Sequence, residues 1–315
     1  MRPMLCVTPN PAIDKTAIIP GFRLGAIHRP QRLIALAGGK GLNVAHVIKR
    51  LGGDVRLCLL LAGHSGAWIA EELSHEGIPA DIVWSQGETR TCVSVFDPET
   101  HVVTEIYETG TAITPTEWAY FEALVGKALT HVALATFSGS LPPGGPTDGY
   151  ARLVKLAHQE SVPSVLDTHG EPLQAALAIQ PHIVKVNARE AGEIIGQDGI
   201  RTPQDAASAA LELREKGVEV AIITLGGAGA VAANEREVWL ATPPSIPVLS
   251  PVGSGDAFLG GLVLALQNRE TMAEALRFGI AVGAANALAL GAGTFERRAV
   301  TDLLPKVKIE QFRAS

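Results

Sequence analysis

Ile183-Val184-Lys185-Val186, a helix-like segment over 203–216, and then Val220-Ala221-Ile222-Ile223-Thr224 read as strand, helix, strand. Both flanking runs are short and nearly all apolar, as strands covered on two faces must be. Parallel neighbours need a long crossover, and the helical segment between the two runs supplies one. The same alternation extends outward along the chain. Met4–Thr8 and residues 55–61, 131–135 and 164–166 have strand character, and helical spacing marks 42–51, 68–76, Pro115–Leu129 and 150–160. This pattern predicts a mostly parallel sheet with helices on both faces.

Two stretches break the alternation. Residues 15–36 hold strand-like pieces divided by Pro20-Gly21 and Arg29-Pro30, and residues 89–107 read as a hairpin. Its arms are 91–96 and Val102–Tyr107, joined by Asp97-Pro98-Glu99-Thr100. With no crossover helices of their own, these pieces predict a separate small antiparallel sheet, suited to a lid or a dimer surface. The last third reads as apolar helices, 255–267 and 271–290, rich in small residues, followed by a charged, peripheral tail from Lys306. Neither an internal repeat nor a low-complexity linker interrupts residues 1–315, so one domain with inserted lid strands is expected.

Composition narrows the function. The 315 residues are 47% apolar and 5% aromatic, which favours helix-covered parallel strands over an aromatic-rich sandwich. A net charge of -6 without a Lys/Arg block argues against nucleic acid as a partner. The 3 cysteines, Cys6, Cys58 and Cys92, are too scattered for a disulfide framework or a metal motif and read as buried thiols. The chain enters Leu5-Cys6-Val7-Thr8 without a signal core, and the run 257–266 is too short to span a bilayer. A cytoplasmic protein without a membrane partner is expected.

Four glycine-bearing or polar motifs carry chemistry. Gly253-Ser254-Gly255-Asp256 precedes an apolar helix, where backbone amides and the helix N-terminus favour a phosphoryl group. Asp256 is placed to take a proton from an attacking hydroxyl. Taken alone, this loop reads slightly better as a turn and an N-cap. Gly38-Gly39-Lys40-Gly41-Leu42-Asn43 again runs glycines into a helix, with a cation for an anionic or hydroxyl-rich ligand; a turn with a solvated lysine fits equally well. Asn187 and Glu190 share a face and suit water around Mg²⁺, although this spacing is common on solvated helices. Thr224-Leu225-Gly226-Gly227-Ala228-Gly229 is a strand entering a glycine turn, consistent with a nucleotide across strand ends. No Walker A loop is complete, since Gly41 and Ala128 follow Lys40 and Lys127; nor is a dinucleotide fingerprint or a zinc-type histidine pair.

Taken in order, from Thr8-Pro9-Asn10-Pro11-Ala12-Ile13-Asp14 to about Gly293, these motifs resemble the ribokinase-like sugar kinases of the phosphofructokinase B family. Within it the chain is similar to the branch of 1-phosphofructokinase and tagatose-6-phosphate kinase. The resemblance implies a three-layer α/β/α core with a β lid and ATP-dependent phosphorylation of a sugar. It implies Asp256 as general base, with Gly253, Ser254 and Gly255 as the anion hole. Asp14, Gly38, Gly39, Asn43 and Ser138 would bind the sugar, and Lys40, Arg90 and Arg29 the phosphate it carries. Lys185, Asn187, Glu190, Thr224, Gly226, Gly227 and Gly229 would hold the nucleotide, with Asn187 and Glu190 organising Mg²⁺ through water. A K⁺-type cation site near Ser250, Val252 and Gly291 is left open by the sequence, and the alternating, partly apolar lid strands favour a homodimer joined through the lids. Ser138-Gly139-Ser140-Leu141-Pro142 and Asp167 with Gly170 match further family stretches. Val186, His169, Pro9 and Ser254 depart from the family's usual Pro, Ser, Leu and Ala.

Lys40 points to a phosphorylated acceptor. Fructose 1-phosphate is the first expectation, with tagatose 6-phosphate and fructose 6-phosphate as alternatives. A non-catalytic sugar-phosphate sensor would lack Asp256 or the glycines beside it, and a nicotinamide oxidoreductase would carry the missing fingerprint.

Overall fold

The computed structural model describes residues 2–197 and 199–312. Its strands are β1 (Met4–Thr8), β2 (Ala12–Ile18), β3 (Arg32–Gly38), β4 (Val55–Ala62), β5 (Ala80–Ser85), β6 (Thr91–Asp97) and β7 (Val102–Tyr107). They continue as β8 (Leu134–Ser138), β9 (Ser164–Asp167), β10 (Ile183–Asn187), β11 (Val220–Thr224), β12 (Ala230–Ala233), β13 (Val238–Thr242) and β14 (Lys308–Phe312). The helices in the first half are α1 (Lys40–Leu51), α2 (Gly63–His75), α3 (Pro115–Leu129), α4 (Gly149–Gln159) and α5 (Gly170–Leu177). The others are α6 (Ala188–Ile195), α7 (Pro203–Glu215), α8 (Ser254–Gln267), α9 (Met272–Ala287) and α10 (Arg297–Leu303).

Ten strands form the main sheet in the order β14-β13-β12-β11-β10-β9-β8-β1-β4-β5. From β5 to β11 all neighbours are parallel, and β12, β13 and β14 complete the sheet antiparallel. Each central strand is buried on both faces. Met4 and Cys6 of β1 join a core with α1, α8 and α9, whereas Leu5 and Val7 join a second core with α3, α4 and α7. This two-sided burial explains why the parallel strands read as continuous apolar runs. Helix starts follow local chemistry: Thr114-Pro115 with Glu117 and Thr202-Pro203 with Asp205 each form a capping box.

In the charged tail expected at the periphery, Lys308–Phe312 form an edge strand, and residues 313–315 lie outside the described residues. Residues of β14 pair with β13 from Val238↔Phe312 to Thr242↔Lys308. The alternation of Lys308, Ile309, Glu310 and Gln311 is that of a strand with one wet face, which composition alone makes look like a loose charged end. The segments expected at 15–36 and 89–107 form the second sheet, ordered β3-β2-β6-β7. Two of its pairings are antiparallel, while β2 and β6 run parallel because the long excursion from β3 to β5 lies between them.

Strand order reverses at β1, since β4 lies on one side of it and β8 on the other. A crevice opens at such a reversal, beyond the carboxyl ends of the strands. Thr8, Ser138, Asp167, Asn187 and Thr224 all end strands there. The lid sheet grows from the same edge, because β2 follows β1 after three residues and β3 leads directly into α1.

Candidate active site

The start of α8 is built around Gly253, which has φ +74 and whose added Cβ would lie 2.3 Å from Ala292 Cβ. Only glycine fits that turn without strain. Beyond it, Ser254 N–H donates to Pro251 O at 3.1 Å and Ala257 N–H to Gly253 O at 2.8 Å, leaving the amides of Gly255 and Asp256 as donors at a positive helix end. Asp256 stands in this turn, buried, with its Oδ2 accepting from Asn43 Nδ2 at 2.8 Å. Burial first, and the nearby Asp167 charge second, push its pKa up to about 6 against the pull of Lys40, Lys185 and Asn43. A carboxylate tuned there is ionised at neutral pH, yet close enough in pKa to accept a proton.

Two lysines converge beside it. Lys40 Nζ donates to Asp167 Oδ1 at 2.8 Å, and Lys185 Nζ donates to Asp167 Oδ2 at 2.7 Å. Asp167 has no exposed surface; burial opposes its ionisation, but the two ammonium groups prevail and hold it down at about 2. Burial likewise favours proton loss from Lys40, yet Asp167, Glu190 and Asp256 outweigh it and keep Lys40 firmly protonated. Lys185 also approaches the first turn of α8, since a Cβ added to Gly255 would sit 3.3 Å from Nζ. Glycine at 255 therefore keeps the space between the turn and the ammonium open.

Asn187 and Glu190, read from sequence as a pair on one face, form a capping box. Glu190 N–H donates to Asn187 Oδ1 and Asn187 N–H to Glu190 Oε2, both at 2.9 Å. The other Glu190 oxygen remains turned toward Lys40 at 3.9 Å. The cap and the contact with the site thus coexist in one side chain.

On the lid side, Gly39 N–H approaches Asp14 Oδ2 at 3.3 Å, and a Cβ on Gly38 would collide with that carboxylate at 2.0 Å. Enclosure raises the Asp14 pKa, with the Gly39 amide, Arg90 and Asn43 acting in the opposite sense. Asp14 shares a row of the lid with Leu36, Cys92 and Tyr107, so this face of the sheet looks into the crevice. Arg90 donates to the carbonyls of Asn10 at 2.9 Å and Glu108 at 3.1 Å, tying together the chain crossings between lid and core. Arg29 lies exposed on the loop between β2 and β3. Ser138 ends β8 buried, its hydroxyl without a hydrogen-bond partner, and the same holds for Thr8 at the end of β1.

On the other side of α8's first turn lies a cleft of about 600 Å³. Thr224, Gly226, Gly227 and Gly229 form one wall; Ile246, Phe258, Ile280 and Ala284 contribute apolar surface. A Cβ on Gly226 or Gly227 would meet nothing within 4 Å, so both leave open space, while the φ of +58 at Gly226 also calls for glycine there. Gly229, with φ +100 and a Cβ position 2.0 Å from Ala241 O, is required by the turn. Near the expected cation turn, Ser250 Oγ accepts from Val252 N–H at 3.3 Å, and Asn286 Nδ2 donates to Val252 O at 2.9 Å.

Sequence reading left Asp167 as a matched pattern without a role and passed over Thr8 and the apolar wall from α9. Asp167 carried a signal in hindsight, an acidic residue ending a buried strand. Nothing local marked Ile280 or Ala284, which look like ordinary core residues of an apolar helix.

The chain is similar to known proteins over nearly its whole length. A tagatose-6-phosphate kinase from Staphylococcus epidermidis is 29% identical over 308 residues, covering 97% of this chain and 99% of the relative. The solved structure of phosphofructokinase-2 from Escherichia coli in complex with potassium superposes with a TM-score of 0.90 at 27% identity, covering 97% of this chain and 99% of that one. A possible 1-phosphofructokinase from Thermotoga maritima shares the fold, with a TM-score of 0.89 at 24% identity over 98% of this chain and 99% of that one. The model of the pfkB family carbohydrate kinases matches residues 9–298, nearly the whole length, and the chain belongs to that family.

Proposed function

We propose that the protein transfers the γ-phosphate of ATP to a primary hydroxyl of a phosphorylated ketohexose, with fructose 1-phosphate as first acceptor and fructose 1,6-bisphosphate as product. The observation that carries this reading is Asp256, a buried carboxylate with a pKa of about 6 at a helix N-terminus, between a polar lid crevice and an apolar cleft. Asp14, Gly39 and Asn43 supply hydroxyl-binding groups on the lid side, and Lys40 and Arg90 supply the cations that a phosphosugar needs. Ser138 adds a free hydroxyl. Thr224 and the glycines 226, 227 and 229 flank the nucleotide, with Lys185 toward its phosphates.

In this mechanism Asp256 receives the proton of the attacking hydroxyl while the amides of the α8 first turn face the charge on the transferring group. Asn43 orients the carboxylate through its 2.8 Å hydrogen bond. The lid excludes water that would otherwise accept the phosphate. Mg²⁺ organised by Asn187 and Glu190 would supply charge neutralisation for the nucleotide phosphates. The donor set fits an ion held through water: Asn187 Oδ1 and Glu190 Oε2 accept within the capping box, and Glu190 Oε1 lies outside it to accept from waters that would coordinate the ion. Among the described residues no three His, Cys, Asp or Glu side chains converge as direct ligands. A monovalent cation of the K⁺ type is assigned to the turn of Ser250, Val252 and Gly291, a reading supported by the potassium in the Escherichia coli relative.

Residues 1–315 are read as one domain acting in the cytoplasm; no helix of the described residues is long and apolar enough to cross a membrane. A homodimer through the lids is supported by the outer lid face, where Leu33, Val102 and Ile106 are exposed, and by Leu24 and Ile27 at about nine-tenths exposure on the adjoining loop.

Tagatose 6-phosphate is a second acceptor reading, favoured by the Staphylococcus epidermidis relative. Coupled ADP release measured with fructose 1-phosphate, fructose 6-phosphate, tagatose 6-phosphate and the unphosphorylated sugars tests both. A marked preference for a phosphosugar in kcat/KM is expected. Preference for an unphosphorylated sugar would overturn the assignment of Lys40 and Arg90.

A further inference from the structure

Asp167 takes no part in the transfer step, yet it is the most enclosed charge in the site. It has no exposed surface, and each of its two oxygens holds one ammonium group, Lys40 at 2.8 Å and Lys185 at 2.7 Å. Those lysines belong to different halves of the site. Lys40 opens α1 directly after the glycines that root the lid, and Lys185 lies on β10 against the first turn of α8. The backbone that carries the carboxylate is held independently of either lysine. Gly139 N–H donates to Asp167 O at 2.9 Å, and Gly139 O in turn accepts from Thr168 Oγ1 at 2.8 Å and Tyr150 OH at 2.9 Å. A fixed, buried anion shared by two cations makes their energies interdependent, because the loss of one leaves its whole charge on the other.

We propose that Asp167 is a positioning residue that couples the sugar side of the site to the nucleotide side by holding Lys40 and Lys185 on one carboxylate. This rests on the assignment of Lys40 to the phosphosugar and of Lys185 to the nucleotide. When an anionic ligand draws Lys40 away, Asp167 binds Lys185 more tightly and the nucleotide phosphates find it less available. No covalent step is involved.

Calorimetric ADP affinity tests the coupling without any sugar, using the wild type, Lys40→Met, Asp167→Asn and the combined variant. Lys40→Met is expected to weaken ADP by about fivefold or more in the Asp167 background. In the Asp167→Asn background the same change should stay within about twofold. Equal effects in both backgrounds overturn the proposal, because Lys40 would then act on ADP directly. If Asp167→Asn alone does not fold, the Asp167→Asn/Lys185→Met pair removes one charge of each sign, and Lys40→Met must again stay within about twofold there. A larger change in that background overturns the proposal equally.

A second readout separates positioning from mere structural support. Asp256 is faced by Asp167 from β9, Lys40 and Asn43 from α1, and Lys185 from β10. Removing the Asp167 charge leaves the lysines to favour ionised Asp256, so the acid limb of kcat should move to lower pH in Asp167→Asn. An unmoved limb counts against the proposal. Failure of the functional reading is distinct: a wild type that binds ADP but phosphorylates no phosphosugar would sink that reading, while the ADP cycle still decides the coupling.

Discussion

Asp256→Asn separates catalysis from stability at a single atom pair. Asparagine keeps the shape of the side chain and removes only its charge and its capacity to accept a proton. Loss of a positioned general base lowers kcat by about 10²–10⁴-fold. Stability should move the other way. Burial and Asp167 raise the Asp256 pKa from 3.8 to about 6 in the folded protein. The folded state therefore holds this proton more tightly than the unfolded chain does. That contribution is complete below about pH 3.8 and is lost as pH rises through about 6, so the ionised group burdens the fold at pH 8. A rise of this size corresponds to about 3 kcal/mol at about 1.4 kcal/mol per pH unit. Asp256→Asn, which imitates the neutral form, should thus unfold at higher temperature than the wild type at pH 8, with the gain vanishing near pH 4. Thermal unfolding at both pH values, beside coupled ADP release and calorimetric binding of a non-hydrolysable ATP analogue, measures all three effects. Turnover within about tenfold of the wild type would refute the role of Asp256 as base. A variant less stable than the wild type at pH 8 would refute the electrostatic account.

Three further outcomes follow from the same geometry. In the wild type, kcat/KM should fall as pH drops through about 6, because protonated Asp256 cannot accept the hydroxyl proton; a pH–rate profile with an acid limb of one proton checks it. Gly253→Ala forces a Cβ to 2.3 Å from Ala292 Cβ at φ +74, and should cost about 1–3 kcal/mol in denaturant unfolding besides most of the activity. Gly227→Val projects into open cleft, so its stability should stay within about 0.5 kcal/mol of the wild type while the KM for ATP rises in steady-state kinetics.

The lid illustrates how far local patterns reach. Residues 91–96 and Val102–Tyr107 were readable as a hairpin because alternation and the Asp97-Pro98 turn lie within a few residues of each other. The partnership of β2 with β6 was not, since it joins segments separated by α1, α2 and three strands. Likewise β12, Ala230–Ala233, has little strand propensity of its own and is specified by pairing with β11 and β13 on either side. The glycines at 39, 229 and 253 are visible as turns, yet only the neighbouring atoms tell which glycines relieve a clash and which, like Gly227, border open space.

From sequence alone came the alternation of strands and helices, the two glycine loops opening helices, and the aspartate at 256 as a candidate cap or proton acceptor. All depend on periods and caps spanning a few residues, where propensity and hydrogen bonding act locally. Tertiary structure decided what each charge faces. Lys40 and Asp167 are 127 residues apart, and Asn43 and Asp256 are 213 apart. Only the reversal of strand order at β1, with both helix starts packed over it, brings those groups to one place. Enclosure there then sets the proton affinity of Asp256 and the pairing of the two lysines, because charges removed from water must find their partners in the protein.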